Sequence, residues 1–225
     1  LGEFIWARQG LIVENDLFGL LRTGSENRNA IAVICGAGIN AVGLHESGAR
    51  VRFHSLGPLS GDWGGGQGLG QEALWHAARA VDGRGPATAL TERIGAEYGM
   101  TVPDLIEAIH LDRISELTLS RLAPAVFAAS DEGDAVAQRL VDRQADEVIA
   151  YVRACAARLG YTGSVDIVLG GGILHARHGR LHGRIERGVR EILPEAALLT
   201  PRRAPVVGAT LLAMEAAGAR EEALA

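Results

Sequence analysis

Two short apolar runs that each end at glycine constrain the fold of this chain more than any other feature of its sequence. The first run covers residues 30–35 and stops at the Gly-Ala-Gly of 36–38; the second covers 165–169 and stops at the triple glycine of 170–172. Apolar runs this short, bounded by glycine, are typical of buried strands rather than of helices. Two such breaks in one α/β pattern indicate a ligand held at the carboxyl ends of the strands, and the alternative is that both are ordinary tight turns.

The segment that follows the first break is rich in turns. A second strand is predicted at 39–44, a hairpin turn at 46–48 and a returning strand at 50–54, before a loop at 61–66 in which four of six residues are glycine. Glycine loses more backbone entropy on folding than any other residue, so this density indicates a function. Because backbone N–H groups without a neighbouring Cβ can approach an anion, we expect an edge of the domain that handles phosphate and polyol groups.

The rest of the chain is mainly helical. The spacing of apolar residues predicts helices at 17–23, 69–81, 88–98, 105–110, 114–129, 135–159, 181–193 and 205–219, and further short strands at 11–13 and 197–200. Strands, a helical block and then alternating strands and helices together predict an α/β fold.

The composition excludes several kinds of chemistry. All 22 basic residues are arginine, so a Walker-type P-loop, which needs its lysine on the phosphates, and Schiff-base catalysis are both excluded. A net charge of −5 without a basic run argues against nucleic acid as a partner. No apolar run is long enough to cross a membrane, and the two distant cysteines, Cys35 and Cys155, indicate a reducing, cytoplasmic setting.

Two aspartates are candidates for a functional role, and each has a simpler explanation. Asp16 follows Asn15 where a predicted strand gives way to a helix, and composition alone favours a helix N-cap there. Asp62 lies among glycines, where a carboxylate can accept sugar hydroxyls, bind a metal or be a solvated turn residue. Trp63 beside it can stack on a sugar, although packing against the core is the expectation.

Three histidines, His175, His178 and His182, lie within eight residues of one another. Their spacing does not put three ligands on one helical face, and a structural zinc site would also require thiolates nearby. We therefore expect surface histidines and no metal site. We also expect Cys155 to fill the core rather than to act as a nucleophile.

Seven short motifs occur in an order that resembles one family. They are ND at 15–16, GAGIN at 36–40, SGDWGGG at 60–66, LGQEAL at 69–74, DGRGP at 82–86, VLGGG at 168–172 and PVVGATLLA at 205–213. Together they resemble the BadF/BadG/BcrA/BcrD ATPase family, and within it the N-acetylglucosamine kinase-like members. Each motif alone is weak, whereas the ordered set covers nearly the whole chain.

The resemblance implies the actin/hexokinase/Hsp70 fold, in which two RNase H-like lobes hold nucleotide and substrate in the cleft between them. We expect an α/β chain with the C-terminal lobe largely complete and the N-terminal lobe mostly absent. The corresponding division is a remnant of the N-terminal lobe at 1–29, the C-terminal lobe with its helical block at 30–204 and a C-terminal helix at 205–225. The helical block from 69 to 159 is long enough to support a homodimer.

The resemblance also assigns roles to the glycine breaks. GAGIN is similar to the family's second phosphate loop, GTGSN, whose backbone N–H groups contact the phosphates of ATP, and VLGGG is similar to the adenosine motif. The cofactors implied are ATP and Mg²⁺. The residues assigned to the nucleotide are Gly36, Ala37, Gly38, Gly170, Gly171 and Gly172.

Three further residues are assigned to the substrate and the reaction. Asn40 would bind the sugar, Asp62 would accept sugar hydroxyls, and Asp16 would be the base that takes the proton from the attacking hydroxyl. The resemblance therefore favours catalysis over capping for Asp16. An aspartate in that role suits phosphoryl transfer, where catalysis is mostly positioning and stabilisation of charge.

The sequence departs from the family pattern in ways that bear on activity. Ala37 and Ile39 replace a threonine and a serine, and Trp63 replaces a glutamate. A DGGGTKT-like hairpin, which carries the aspartate that positions Mg²⁺, is absent from these 225 residues. We therefore expect the later part of a longer protein, with little activity alone.

The function expected is an ATP-dependent kinase of N-acetylglucosamine or a related sugar. Two alternatives stay open. One is a sugar- or nucleotide-sensing module without catalysis, and the other is the activator ATPase of a 2-hydroxyacyl-CoA dehydratase, which would need cysteines to ligate an iron–sulfur cluster.

Overall fold

A five-stranded mixed sheet organises the chain. The computed structural model describes residues 13–219, and its strands are β1 (Ala30–Cys35), β2 (Ile39–Leu44), β3 (Arg50–Arg52), β4 (Asp166–Gly170) and β5 (Ala197–Leu199). The spatial order is β3-β2-β1-β4-β5. The first three strands pair antiparallel, while β4 and β5 run parallel to β1. This arrangement confirms the predicted α/β class and is that of an RNase H-like lobe.

Nine α-helices in the described residues complete the fold. They are α1 (Asp16–Gly24), α2 (Gly65–Val81), α3 (Leu90–Tyr98), α4 (Val102–His110), α5 (Ala123–Asp131), α6 (Ala135–Leu159), α7 (Gly172–His175), α8 (Gly179–Ile192) and α9 (Pro205–Ala216), and short 3-10 helices cover Gly57–Ser60 and Glu116–Leu122. None of these helices is both long and apolar enough to cross a membrane.

Most element predictions are confirmed, and the differences have local causes. The longest helix, α6, has both predicted ends, with Asp134 as its N-cap and Gly160 in the left-handed region after its last turn. The single helix predicted at 114–129 is wrong. A 3-10 helix is followed by α5, because Pro124 lies in the first turn of a new helix instead of bending an old one. The predicted strand at 11–13 falls mostly outside the described residues, and Val13 is not in a strand.

The two faces of the sheet are covered differently. Because side chains alternate along a strand, Ile31 and Val33 face the large core formed with the helical block, whereas Ala30 and Ala32 face α1. Helix α9 packs on α1 at that second face. The helical block and the α1–α9 pair therefore lie on opposite sides of the sheet.

Candidate functional site

Three backbone bends meet at the carboxyl end of β1. They are the β1–β2 turn at 36–38, the start of α2 at 64–66 and the β4–α7 turn at 170–172. A Cβ on Gly65 would lie 2.5 Å from the carbonyl oxygen of Ala37, and a Cβ on Gly171 would collide with the backbone of Cys35. Backbone therefore packs directly on backbone at two places, and the glycine breaks predicted from the sequence form one continuous surface.

Hydrogen bonds orient the β1–β2 turn. Gly36 N–H donates to the Gly38 carbonyl over 2.9 Å, while the Gly66 and Gln67 N–H groups of α2 donate to the carbonyls of Gly36 and Ala37 over 2.7 and 2.9 Å. Within the described part of the chain, the N–H groups of Ala37 and Gly38 donate to no acceptor, and both residues are exposed. Two adjacent donors, with open space where Gly38 would carry a Cβ, can bind an anion.

The glycine-dense loop before α2 has a different task from the turn. Although a helix N-terminus is commonly an anion site, here the first N–H groups of α2 are already bonded. Gly65 donates to Gln144 Oε1 over 2.8 Å, Gly66 and Gln67 donate to the turn, and Gly68 donates to Gly64. The N–H groups at the start of α2 are therefore occupied, and those of Gly66 and Gln67 hold the β1–β2 turn in place.

The three glycines at 170–172 have different surroundings. A Cβ on Gly170 would lie 2.5 Å from Leu20 Cδ2, and Gly171 has a φ of 87° and abuts the Cys35 backbone. Gly172, by contrast, has open space around its Cβ position. Packing explains the first two glycines, and of the three Gly172 is the one with room for a ligand.

The side chains of the GAGIN motif point to opposite faces of the sheet. Ile39 packs into the large core, so an apolar residue suits that position. Asn40 faces the α1 side and is 8% exposed, and its Oδ1 accepts a hydrogen bond from Ala41 N–H at 2.7 Å. Of the two departures in this motif, only Ala37 lies on the exposed surface.

Asp16 is the first residue of α1, and its neighbour is the helix cap. The Asn15 side chain accepts from Leu17 N–H over 3.0 Å, so the capping alternative holds for Asn15. Asp16 is exposed, and no described residue donates to its carboxylate. Helix α1 covers the face towards which Asn40 points, which places Asp16 and Asn40 on the same side of the sheet.

Asp62 is oriented by two hydroxyl groups. Ser60 Oγ donates to Oδ2 and the Tyr151 hydroxyl donates to Oδ1, both over 2.6 Å. Burial, and then the hydrogen bond to Asp62, raise the pKa of Tyr151 above its ordinary value. Tyr151 belongs to α6, so these contacts connect Asp62 to the helical block and not to Asn40 or Asp16.

Tyr151 and Gln144 were missed by the sequence reasoning. Both lie on the buried face of α6, where periodicity marked only apolar residues. A tyrosine or glutamine on such a face must find a hydrogen-bond partner, and that requirement was the available signal.

Trp63 packs at the edge of the core beneath an arginine. The Arg143 guanidinium carbon lies 3.9 Å from the Trp63 ring centroid, and Arg143 also forms a 2.8 Å ion pair with Glu72. Trp63 contacts the large core, as expected. The residue that replaces the family's glutamate therefore contributes a cation–π contact instead of a carboxylate.

The two cysteines are buried, and the three clustered histidines contact neighbouring segments. Cys35 and Cys155 are fully buried, and burial raises the pKa of each thiol to about 12. His178 caps α8 and lies 2.8 Å from Asp131, and His182 Nε2 lies 2.7 Å from the Leu174 carbonyl oxygen. Among residues 13–219, no group of three His, Cys, Asp or Glu side chains could hold a metal ion.

The sheet order is that of an RNase H-like lobe of the ATPases that share the actin/hexokinase fold. The chain belongs to the BadF/BadG/BcrA/BcrD ATPase family, whose model matches residues 5–213.

Among curated relatives, the chain is 28% identical over 207 residues to N-acetyl-D-glucosamine kinase of Dictyostelium discoideum. It is 26% identical over 205 residues to N-acetylmuramic acid/N-acetylglucosamine kinase of Clostridium acetobutylicum. Each match includes 90% of this chain, but the chain spans only 65% and 67% of those relatives.

Solved structures agree with the fold. A candidate N-acetylglucosamine kinase from Chromobacterium violaceum superposes with a TM-score of 0.70 at 25% identity, over 88% of this chain and 64% of that chain. A ROK family glucokinase from Streptomyces griseus, solved with glucose and AMPPNP, superposes with a TM-score of 0.52 at 18% identity, over 88% and 65%. The second similarity is one of fold.

Proposed function

We propose that this chain is the nucleotide-holding lobe of an ATP-dependent kinase that phosphorylates N-acetylglucosamine or a closely related amino sugar. The observation that carries the proposal is the β1–β2 turn, in which the N–H groups of Ala37 and Gly38 have no acceptor among residues 13–219. The start of α2 fixes this turn by donating hydrogen bonds to its carbonyl groups. Family membership and the names of the two curated relatives support the nucleotide and the sugar.

ATP, with Mg²⁺ bound mainly by its phosphates, would supply the transferable phosphoryl group. The turn fits a phosphate group because its free donors are adjacent and no side chain covers Gly36 or Gly38. Ala37 and Gly38 would donate to phosphate oxygens, and Gly172 would lie against the nucleotide. The N–H donors would stabilise the charge that develops on those oxygens.

On the sugar side, Asp16 would act as base and Asn40, on the same side of the sheet, would hold a hydroxyl group. Asp62, which Tyr151 connects to the helical block, stays a candidate for a second hydroxyl contact. The sugar oxygen forms a bond to phosphorus as the bond to the departing ADP oxygen breaks, and Asp16 takes the hydroxyl proton. The Asp16 carboxylate is exposed and accepts no hydrogen bond from a described residue, so it is available for that proton. Because the chain spans about two thirds of its relatives, substrate and activity belong to the full-length gene product.

The buried cysteines disfavour the dehydratase-activator alternative. An iron–sulfur cluster shared at a dimer interface needs thiolates at a surface. Cys35 and Cys155 are both buried, with raised pKa values.

The test is sugar-dependent ADP release by the full-length gene product, with N-acetylglucosamine, N-acetylmuramic acid, glucosamine and glucose compared. Asp16→Asn is expected to lower kcat by about 10²–10⁴-fold, as for loss of a general base, while ADP still binds. Asp112→Asn, the same change at an exposed aspartate outside the site, is the matched control and should keep wild-type kcat.

Other outcomes separate the alternatives. Sugar binding without any turnover would show a sensing module, and activity that depends on an iron–sulfur cluster would show an activator. Either result contradicts the kinase proposal, whereas equal kcat for Asp16→Asn and wild type would contradict the role of Asp16 as the base.

A further inference from the structure

Gln144 is an amide side chain buried in an apolar helix face. It lies on α6 with 0% of its surface exposed, between the buried Val141 and Val148. Its Oε1 accepts from Gly65 N–H over 2.8 Å, and its Nε2 has no hydrogen-bond partner among the described residues. A buried amide whose two N–H donors have no acceptor is unfavourable for stability. What Gln144 does provide is a contact with the first residue of α2.

That contact locks the start of α2 between two elements. A Cβ on Gly64 would lie 2.8 Å from Gln144 Nε2, and a Cβ on Gly65 would lie 2.5 Å from the Ala37 carbonyl oxygen. The chain at 64–65 therefore passes between the amide and the β1–β2 turn with no room for side chains. Any shift of the backbone at 64–65 would therefore move the β1–β2 turn as well.

Three consecutive N–H groups of α2 couple the position of Gln144 to that of the β1–β2 turn. Gly65 donates to Gln144, while Gly66 and Gln67 donate to the carbonyls of Gly36 and Ala37. The carbonyl of one residue and the N–H of the next belong to the same trans peptide and point in opposite directions. These bonds therefore leave the N–H groups of Ala37 and Gly38 facing away from α2. Gln144 is thus connected, through the first residues of α2, to the N–H donors that would bind phosphate.

We propose that Gln144 is a positioning residue for the nucleotide. It fixes the first turn of α2, which in turn holds the β1–β2 turn with its free N–H groups aligned on a phosphate. The inference rests on the proposed function for the identity of the anion, and on the contacts above for the coupling. It predicts that Gln144 affects nucleotide binding and leaves sugar binding unchanged.

The experiment compares Gln144→Met with Gln138→Met in the full-length gene product. Methionine has a similar volume and offers Gly65 N–H only a weak thioether acceptor in place of the amide oxygen. Gln138 lies six residues earlier on α6 and is half-buried, and its side chain donates to the Ser130 carbonyl and makes no hydrogen bond to α2. Calorimetric titration with ADP and separately with N-acetylglucosamine gives both affinities, and hydrogen exchange monitors the amides of 36–38 and 64–67 in the free protein.

For Gln144→Met we expect the Kd for ADP to rise about tenfold or more, as for loss of a buried hydrogen-bond partner. Sugar affinity should not change, and exchange should accelerate at Gly36, whose N–H donates to the Gly38 carbonyl, as well as at 65–67. Gln138→Met should behave as wild type in all three measurements. If Gln144→Met does not fold, Gln144→Asn, which keeps the amide but is one methylene shorter, is expected to show the same pattern.

Wild-type ADP affinity in the variant overturns the inference, as does a parallel fall of ADP and sugar affinity. If the wild type binds no ADP, the proposed function fails. Exchange still decides the coupling in that case, because unchanged protection of the Gly36 N–H in Gln144→Met would contradict it.

Discussion

Gly171 shows how one residue can serve packing and site geometry together. Its φ of 87° is in the region that favours glycine, and its Cα lies against the backbone of Cys35 at the end of β1. This close approach brings the β4–α7 turn beside the β1–β2 turn. A side chain here would separate the two bends.

Gly171→Ala is expected to lower the free energy of unfolding by about 2–3 kcal/mol, since strain and a backbone clash add. Gly172→Ala is the matched control, because the adjacent position has open space and begins a helix. Urea unfolding of both variants measures the difference. Equal stabilities would mean that the bends are not packed as described.

Helix ends connect elements that are distant in sequence. Asp134 caps α6 by accepting from Ala137 N–H over 2.8 Å, and it also accepts from Ala89 N–H over 2.7 Å and from the Thr88 hydroxyl over 3.0 Å. Burial alone would raise the pKa of Asp134, but these hydrogen bonds outweigh burial and hold it below the ordinary value of 3.8. One carboxylate thus ties the start of α6 to the segment before α3.

This cap makes a pH-dependent contribution to stability. The folded state binds the Asp134 proton less tightly than the unfolded chain, so the stabilisation is complete above the unfolded pKa and is lost as pH falls through the lower folded pKa. Asp134→Ala should lower the free energy of unfolding by about 1–2 kcal/mol at neutral pH, and this difference should shrink below about pH 4.

Urea unfolding between pH 2 and 7 measures the effect of Asp134→Ala. Ser115→Ala, which removes an uncharged cap that accepts from Leu117 N–H, is the control, and its effect should not vary with pH. A pH-independent difference for Asp134→Ala would contradict the argument.

The described chain closes on itself through two helices from its opposite ends. Helices α1 and α9 cross where Gly19 meets Gly208, and a Cβ on Gly208 would collide with the Gly19 carbonyl oxygen. Arg22 and Glu215 add a 2.7 Å ion pair to the same contact. Because α1 carries Asp16, this crossing also sets the position of the proposed base.

Gly208→Val should therefore separate the two helices, with a loss of about 1–3 kcal/mol as for overpacking. Gly95→Ala in α3, where the nearest atom is 3.5 Å from the added Cβ, should instead be neutral or stabilise by up to about 1 kcal/mol through helix propensity. Thermal unfolding of both variants measures this, and a stable Gly208→Val protein would rule out the close crossing.

Much of the fold could be predicted because it depends on local pattern. The strands at 30–35 and 39–44 and the helix at 135–159 have the predicted limits, since apolar period, caps and glycine punctuation act within a few residues. The start of α2 was predicted four residues late at Leu69. Its first turn, Gly65 to Gly68, has glycine, a poor helix former, at three of its four positions, and contacts with the β1–β2 turn and with Gln144 stabilise it.

The sequence by itself determined the strands, the helices and the glycine breaks between them. Only the tertiary structure decided which backbone N–H groups are free for a ligand, and which buried side chains hold them there. Gly65 meets Gln144 across 79 residues, and Asp62 meets Tyr151 across 89. Such contacts have no local period, because they form only when packing of the helical block on the sheet brings distant segments within hydrogen-bonding distance.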